Sequence, residues 1–521
     1  MSLARKAARG ALWTIVTSIG GRSIGVIGTL VITRFLDPSI VGEVSVAAIV
    51  CYTTNWFTTW GFGIYAMVNG RGAAATEVTW HAVVAHLGLG AVGFVLIALV
   101  GGRLMPMLDA PHAAVYVPGM ALAVFIRRVG FIPDRVLLRS MRFRAVGLSN
   151  LFGEVSYTVA ALGFAIAGRG GMSIVYANII QSLVMVSISL AAAGWWSWAT
   201  PTRLSLARFR DMIRVGIPLS IASIAHGGSR YWDNLAVSWC FGPAAAGTYN
   251  MAYNLADIPA TQIGEQIAGV LLPSLAELPA HARAGAVERA SALLSLILFP
   301  LAVGLGLVAY PLISLILPAN RWQEVAPLLA ILTSLSVFRP FTYVLDAYMQ
   351  AQQRTSRLMF LEIGKLIVLI GGIVLLSRFG LRVAAAAVGV SFGSNAIIAA
   401  LLMRREGLAS RKLLLGFVQP LAACAVMALA VLAVDRGLGA SSSAATHLVV
   451  AIVVGAIAYV LAALVVCRAT ARDLLRLLRG CVSRDDARTG TALALRMRHD
   501  EQDRAPRTPR VQRRLHDAPF R

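Results

Sequence analysis

Residues 35–42 read FLDPSIVG, and residues 240–247 read CFGPAAAG. A proline followed four residues later by a glycine recurs at an offset of 205: Pro38 and Gly42 first, Pro243 and Gly247 second. Each stretch joins two apolar runs of about 20 residues, the length of a membrane-crossing helix. Each pair of runs also follows a basic approach, Arg5 to Arg9 in one case and Arg208 to Arg214 in the other. The first set of runs ends near 194 and the second near 403. This matched placement predicts an internal duplication of six spanning helices. Six is even, so the two copies share one topology and are related by an axis along the membrane normal.

Working outward, such runs fall at about 11–33, 41–62, 80–101, 114–133, 146–167, 172–194, 215–240, 245–272, 290–316, 325–349, 358–377, 383–403, 413–434 and 446–467. The expected fold is therefore an all-α polytopic membrane protein of about 14 transmembrane helices, in two six-helix lobes with two appended helices. The expected boundaries are 1–200 for the N-terminal lobe, 201–405 for the C-terminal lobe, 406–470 for the two added helices and 471–521 for a basic tail. Of 521 residues, 58% are apolar and only 14% are charged, too little polar surface for a soluble chain of this size. Five cysteines stand far apart with no CxxC, so neither disulfide nor metal is inferred.

The formal charge is +23, and all but three of the 47 basic residues are arginine. They lie between apolar runs rather than on one face, which suits cytoplasmic loops and not nucleic acid. With the N-terminus inside, the inner loops hold Arg135, Arg139, Arg142 and Arg144, then Arg203, Arg208, Arg210 and Arg214, then Arg404, Arg405, Arg411 and Lys412. The outer loops hold only Arg34, Arg103, Arg169, Arg321, Arg378, Arg382 and Arg436. Both termini are thus expected in the cytoplasm of a bacterial inner membrane. The first run, broken by Arg22 and lacking an A-x-A site, reads as a retained helix rather than a signal peptide. In the tail, RATARDLLRLLRG (468–480) reads as an amphipathic surface helix, with disorder beyond Ser483.

Charge inside a bilayer needs a partner or a wet cavity, because even insertion scales put its cost at about 2.5–3.5 kcal/mol. Arg22 lies mid-helix among Gly20, Gly21 and Gly25, and Arg230 lies at the equivalent place in the second copy. Two guanidinium forks facing one cavity would suit a diphosphate or an anionic sugar, and Arg339 is a third candidate. The competing reading of Arg230 is a local pair with Asp233; for Arg339 the structural alternative is Asp346. Arg127 and Arg128 read as snorkelling to the surface. Glu362 and Lys365 have the spacing of a helix ion pair. Asp257, Glu265 and Asp233 are candidates for coupling to H⁺ or Na⁺, or for polar packing. Tyr231, Trp232, Tyr249 and Tyr253 are candidates for stacking on sugars, or for anchoring at the interface. The sequence has no nucleotide-binding loop and no HExxH, and no outer loop is long enough for a folded domain; no catalytic, cofactor or metal residue is expected.

At YWDNLAV (231–237), FGPAAAGTYNMAY (241–253), Pro259 and LPSL (272–275), the chain resembles the polysaccharide transporter family, the Wzx-type flippases of the MOP exporter superfamily. LLRSMRF (137–143), RFLDPSIVG (34–42) and WQEVAPLL (322–329) agree, so the resemblance covers roughly residues 1–430. It implies an undecaprenyl-diphosphate-linked oligosaccharide, moved from the inner to the outer leaflet by alternating access. It implies lipid as surroundings, and as partners the polymerase and chain-length proteins of the same pathway. An ion-coupled multidrug extruder of the same superfamily is the alternative reading, followed by a membrane-embedded polymerase.

Overall fold

The computed structural model describes residues 20–482, apart from 22, 71–74, 141, 265–270, 272–274, 276–277, 319, 353–354, 405–409 and 439–442. It is helical, with no strand among the described residues. The helices of the first half are α1 (Ser23–Ile32), α2 (Pro38–Phe57), α3 (Phe62–Asn69), α4 (Ala75–Leu104), α5 (Val117–Arg139), α6 (Phe143–Ile166) and α7 (Met172–Ala193). Next come α8 (Leu206–Ala256), α9 (Ala280–Leu307), α10 (Ala309–Ile316), α11 (Val325–Leu332), α12 (Ser334–Ala351), α13 (Thr355–Leu376) and α14 (Leu381–Arg404). The hairpin α15 (Ser410–Leu438) and α16 (Ala444–Val466) follows.

Nine helices among the described residues are long and apolar enough to span a membrane, so the count of fourteen is not reached by apolarity alone. The shortfall has a pattern. The first expected span is only partly described. The others fall on α5, α6 and the two arms of α8, which carry Arg127, Arg128, Glu154, Arg230, Asp233, Asn234, Asn250 and Asn254. These more polar helices line the cavities described below. Elsewhere Val92, Ile367, Leu429 and Val465 project outward, exposed as lipid-facing side chains are.

Helix α8 is two arms, 206–241 and 243–256, broken at Gly242, whose φ of 79° and ψ of 174° no helix contains. Glycine tolerates that positive φ, and Pro243 then starts the second arm, where its missing N–H costs nothing. Hydrogen bonds from Tyr249 to Asp233 and from Asn250 to Asn234 show that the arms run back along each other as a hairpin. In the first half the same break falls at 33–37, before Pro38 at the start of α2.

The two breaks meet. A Cβ on Gly42 would lie 1.8 Å from the carbonyl oxygen of Pro243, and one on Gly247 would lie 1.9 Å from that of Pro38. Only glycine permits such backbone contact, the close approach that small residues give membrane helices. Around this clasp the halves exchange loops. Trp322 Nε1 donates to the Thr33 carbonyl at 3.2 Å, and Ser238 Oγ donates to the Leu108 carbonyl at 2.8 Å. The largest buried apolar cluster spans both halves, with Ile32, Leu36 and Val41 beside Ala246, Trp322 and Leu369. The described residues up to Cys467 accordingly pack as one compact unit. The second unit, 468–521, is described only for α17 (Arg468–Val482), which has the expected amphipathic pattern of leucines and arginines.

Candidate functional site

A cavity of about 280 Å³ lies between the halves, walled by α1, α6 and both arms of α8. The α8 hairpin decides its chemistry. Folding at Gly242 brings Asp257, just beyond the second arm, beside Arg230 on the first, with Arg230 Nη2 3.2 Å from Asp257 Oδ2. From α12, Arg339 reaches the other carboxylate oxygen of the same Asp257, and its Nη2 donates to the Tyr253 hydroxyl at 3.0 Å. The Arg339 guanidinium also lies over the Phe392 ring, 5.2 Å from its centroid. One carboxylate therefore serves two guanidinium groups at the cavity wall.

A row of amides continues from this cluster. Asn254 Nδ2 donates to Asn250 Oδ1 at 2.8 Å, and Asn250 Nδ2 donates to Asn234 Oδ1 at 3.1 Å. All three asparagines, with Glu154, Tyr157, Thr29 and Gln262, line the cavity. Guanidinium, amide, carboxylate and hydroxyl groups facing one space can bind an anion and a polyhydroxylated body together.

The expected site residues separate into groups. Arg230, Tyr231, Tyr253 and Asp257 line the cavity. Arg339 is buried behind it, at 5% exposure. Asp233 is not the partner of Arg230: it is fully buried, accepting from the Tyr249 hydroxyl at 2.8 Å and from Asn234 N at 2.9 Å. The hairpin presents Asp257 from the facing arm, and this replaces the local pair. Tyr249 is likewise fully buried and presents no face to the cavity, so packing accounts for it better than sugar stacking. Trp232 Nε1 donates to Thr53 Oγ1 at 2.9 Å and ties the second half to α2. Arg22 and Glu265 lie outside the described residues.

Three other expectations can be placed. Arg339 pairs with Asp257 rather than Asp346. Lys365 Nζ donates to both oxygens of Glu362 at 2.8 Å, as the spacing implied. Arg128 does not snorkel. At 4% exposure it donates to the His86 carbonyl at 2.8 Å, to Asn55 Oδ1 at 2.7 Å, to Thr58 Oγ1 at 2.9 Å and to the Thr58 carbonyl. It thereby satisfies the orphan carbonyls at the end of α2. The sequence reading missed the asparagine row, whose only signal was the four-residue step from Asn250 to Asn254.

The profile of a family described as "Polysaccharide biosynthesis protein" matches residues 31–327, more than half of the chain. The chain belongs to this family. Among its relatives, the lipopolysaccharide biosynthesis protein WzxC of Escherichia coli (strain K12) is 22% identical over 401 residues, 75% of this chain and 78% of that protein. The succinoglycan biosynthesis transport protein ExoT of Rhizobium meliloti (strain 1021) is 24% identical over 356 residues, 65% of this chain and 69% of that one. Two solved structures share the fold. One is the lipid II flippase MurJ in an inward closed conformation, with a TM-score of 0.66, 12% identity, and coverage of 88% of this chain and 100% of that one. The other is a MATE-family multidrug resistance transporter of the MOP superfamily, inward-facing, with a TM-score of 0.55, 17% identity, and coverage of 79% of this chain and 96% of that one. The family member described here thus has the architecture of membrane transporters.

Proposed function

We propose that this family member is a flippase: it moves an oligosaccharide linked to undecaprenyl diphosphate across the bacterial inner membrane by alternating access, and it is not an enzyme. The observation that carries this reading is the shared carboxylate of Asp257, held by Arg230 and Arg339 at the wall of a cavity between the halves. Before the ligand arrives, both guanidinium groups rest on Asp257, so each has an anionic partner inside the bilayer while the cluster keeps a net positive charge. A diphosphate brings two or more negative charges and competes with one carboxylate for Arg230, the more accessible of the two. The asparagine row beside it offers donors and acceptors to the first sugars. Guanidinium and amide groups favour an anionic glycan over the cationic drugs that an extruder would carry.

The names of the two relatives, one a lipopolysaccharide biosynthesis protein and one a succinoglycan biosynthesis transport protein, support a glycan cargo. With both termini in the cytoplasm, the reading that follows from the arginine bias, the Pro–Gly clasp lies toward the outer face. Asp257 becomes a coupling residue for H⁺ or Na⁺ when the ligand draws Arg230 away. The polymerase and chain-length proteins of the pathway then receive the cargo.

The test is transport of a fluorescent polyprenyl-diphosphate oligosaccharide by the full-length protein in lipid vesicles. Arg230→Gln is expected to lower the rate by at least about tenfold, because a hydrogen bond to a charged group contributes on that scale. Transport by Arg230→Gln at the unmodified rate, with equal protein in the vesicles, overturns the assignment.

A further inference from the structure

A second cavity, of about 500 Å³, lies wholly within the first half, between α2, α4, α5, α6 and α7. It touches the central cavity through Glu154, which lines both. Its wall holds Arg127, Arg128 and Arg135 from α5, set against Asp134 and Glu154. Three guanidinium groups facing two carboxylates leave one positive charge unmatched. Arg128 is committed to backbone and side-chain oxygens of α2 and α4. Asp134 accepts from Ser189 Oγ at 2.5 Å, and Glu154 accepts from Gln181 Nε2 at 3.1 Å.

Arg127 and Arg135 differ from these. Among the described residues, no carboxylate lies within 4.0 Å of either guanidinium. Arg127 meets only the thioether of Met185. Arg135 lies over the Phe131 ring, 4.8 Å from its centroid, and its Nε is buried without a hydrogen-bond partner. His86 lines the same space at 1% exposure, stacked on Phe131 at 4.7 Å, and neither of its ring nitrogens has a partner. Buried polar atoms in this condition are costly unless a ligand completes them. The rest of the wall carries Asn178, Gln181, Ser182, Asn55 and Tyr52, groups that serve sugar hydroxyls.

We propose that this cavity binds one carboxylate-bearing sugar of the oligosaccharide, a hexuronic acid, with its carboxylate on Arg127 and Arg135 and its hydroxyls on the amides and His86. Charge separates this ligand from the diphosphate. The unmatched single positive charge suits a uronate, whereas a diphosphate would face the repulsion of Asp134 and Glu154. The inference rests on the flippase reading for its choice of an oligosaccharide as the cargo.

The experiment is calorimetric titration of the purified full-length protein with methyl glucuronoside, its neutral glucuronamide analogue, methyl glucoside and inorganic pyrophosphate. The uronate is expected to bind at least about tenfold more tightly than either neutral sugar, and to lose at least about tenfold in Arg127→Gln and in Arg135→Gln, the scale of one charge-assisted hydrogen bond. Arg382→Gln, at an exposed pair with Glu324, leaves the titration unchanged. Equal binding of uronate and glucuronamide by the unmodified protein overturns the proposal whatever the variants do. So does pyrophosphate binding that is lost in the same two variants, which would make the cavity a phosphate site. Vesicle transport of a neutral glycan without any uronate binding removes the second site and spares the flippase. Uronate binding with no lipid transport does the reverse.

Discussion

Arginine enters the membrane zone in both halves and is handled differently in each. In the second half, Arg230 and Arg339 converge on Asp257, and Arg339 is further held by Tyr253 and Phe392. In the first half, Arg128 is bound to the end of α2, while Arg127 and Arg135 face a cavity with no acid in salt-bridge range among the described residues. A paired charge can support structure, whereas an unpaired one adds little to the fold, which is why the proposed ligand roles of the two sets differ.

The comparison is most easily broken at Asp257. Asp257→Ala strands two guanidinium groups, one of them at 5% exposure, and removing one partner of a buried pair costs about 3–5 kcal/mol. A large drop in the detergent melting temperature is expected, partly restored by adding Arg339→Met. An unchanged melting temperature would show that the pair does not hold the second half together. Gly247→Ala comes next. Its Cβ would meet the Pro38 oxygen at 1.9 Å, and overpacking of this kind costs about 1–3 kcal/mol. In a background without the five native cysteines, Val41→Cys, buried in the junction, should then react with a maleimide faster than it does beside Gly247. Arg127→Gln sharpens the contrast from the other side. Its side chain is exposed and has no acid in salt-bridge range among the described residues, so it contributes little to the fold, and the melting temperature holds while uronate binding is lost. The smallest effect is expected at Arg382→Gln, where an exposed ion pair is removed and no change in melting temperature should be measurable.

Much of this was legible in the chain. The apolar runs and the recurrence of Pro38–Gly42 as Pro243–Gly247 marked the spans and the hairpin turn, because both depend on local chemistry. Arg230 was recognisable as a buried charge. Its partner was not, because helix spacing nominated Asp233 three residues away, while the hairpin at Gly242 delivers Asp257 from 27 residues away. Arg128 was misread for a related reason. The adjacent arginines looked alike in sequence and both line the cavity, yet Arg128 is bonded to the end of α2 and Arg127 has no acid in salt-bridge range among the described residues. His86 gave no signal, since its significance lies in bonds that it does not make within the chain.

The clasp between Gly42 and Gly247 is made of main chain on both sides. Contacts between a glycine Cα–H and a carbonyl are weak, about 0.5–1 kcal/mol each, and beside them the first turn is tied to the second half by Trp322 on the Thr33 carbonyl and by the half-exposed pair of Arg321 with Asp37. A latch of this kind is tight in shape and cheap to release. Its opening should depend only weakly on ionic strength, through the exposed Arg321–Asp37 pair, so a strong dependence of transport on salt would originate in the arginines around the cargo.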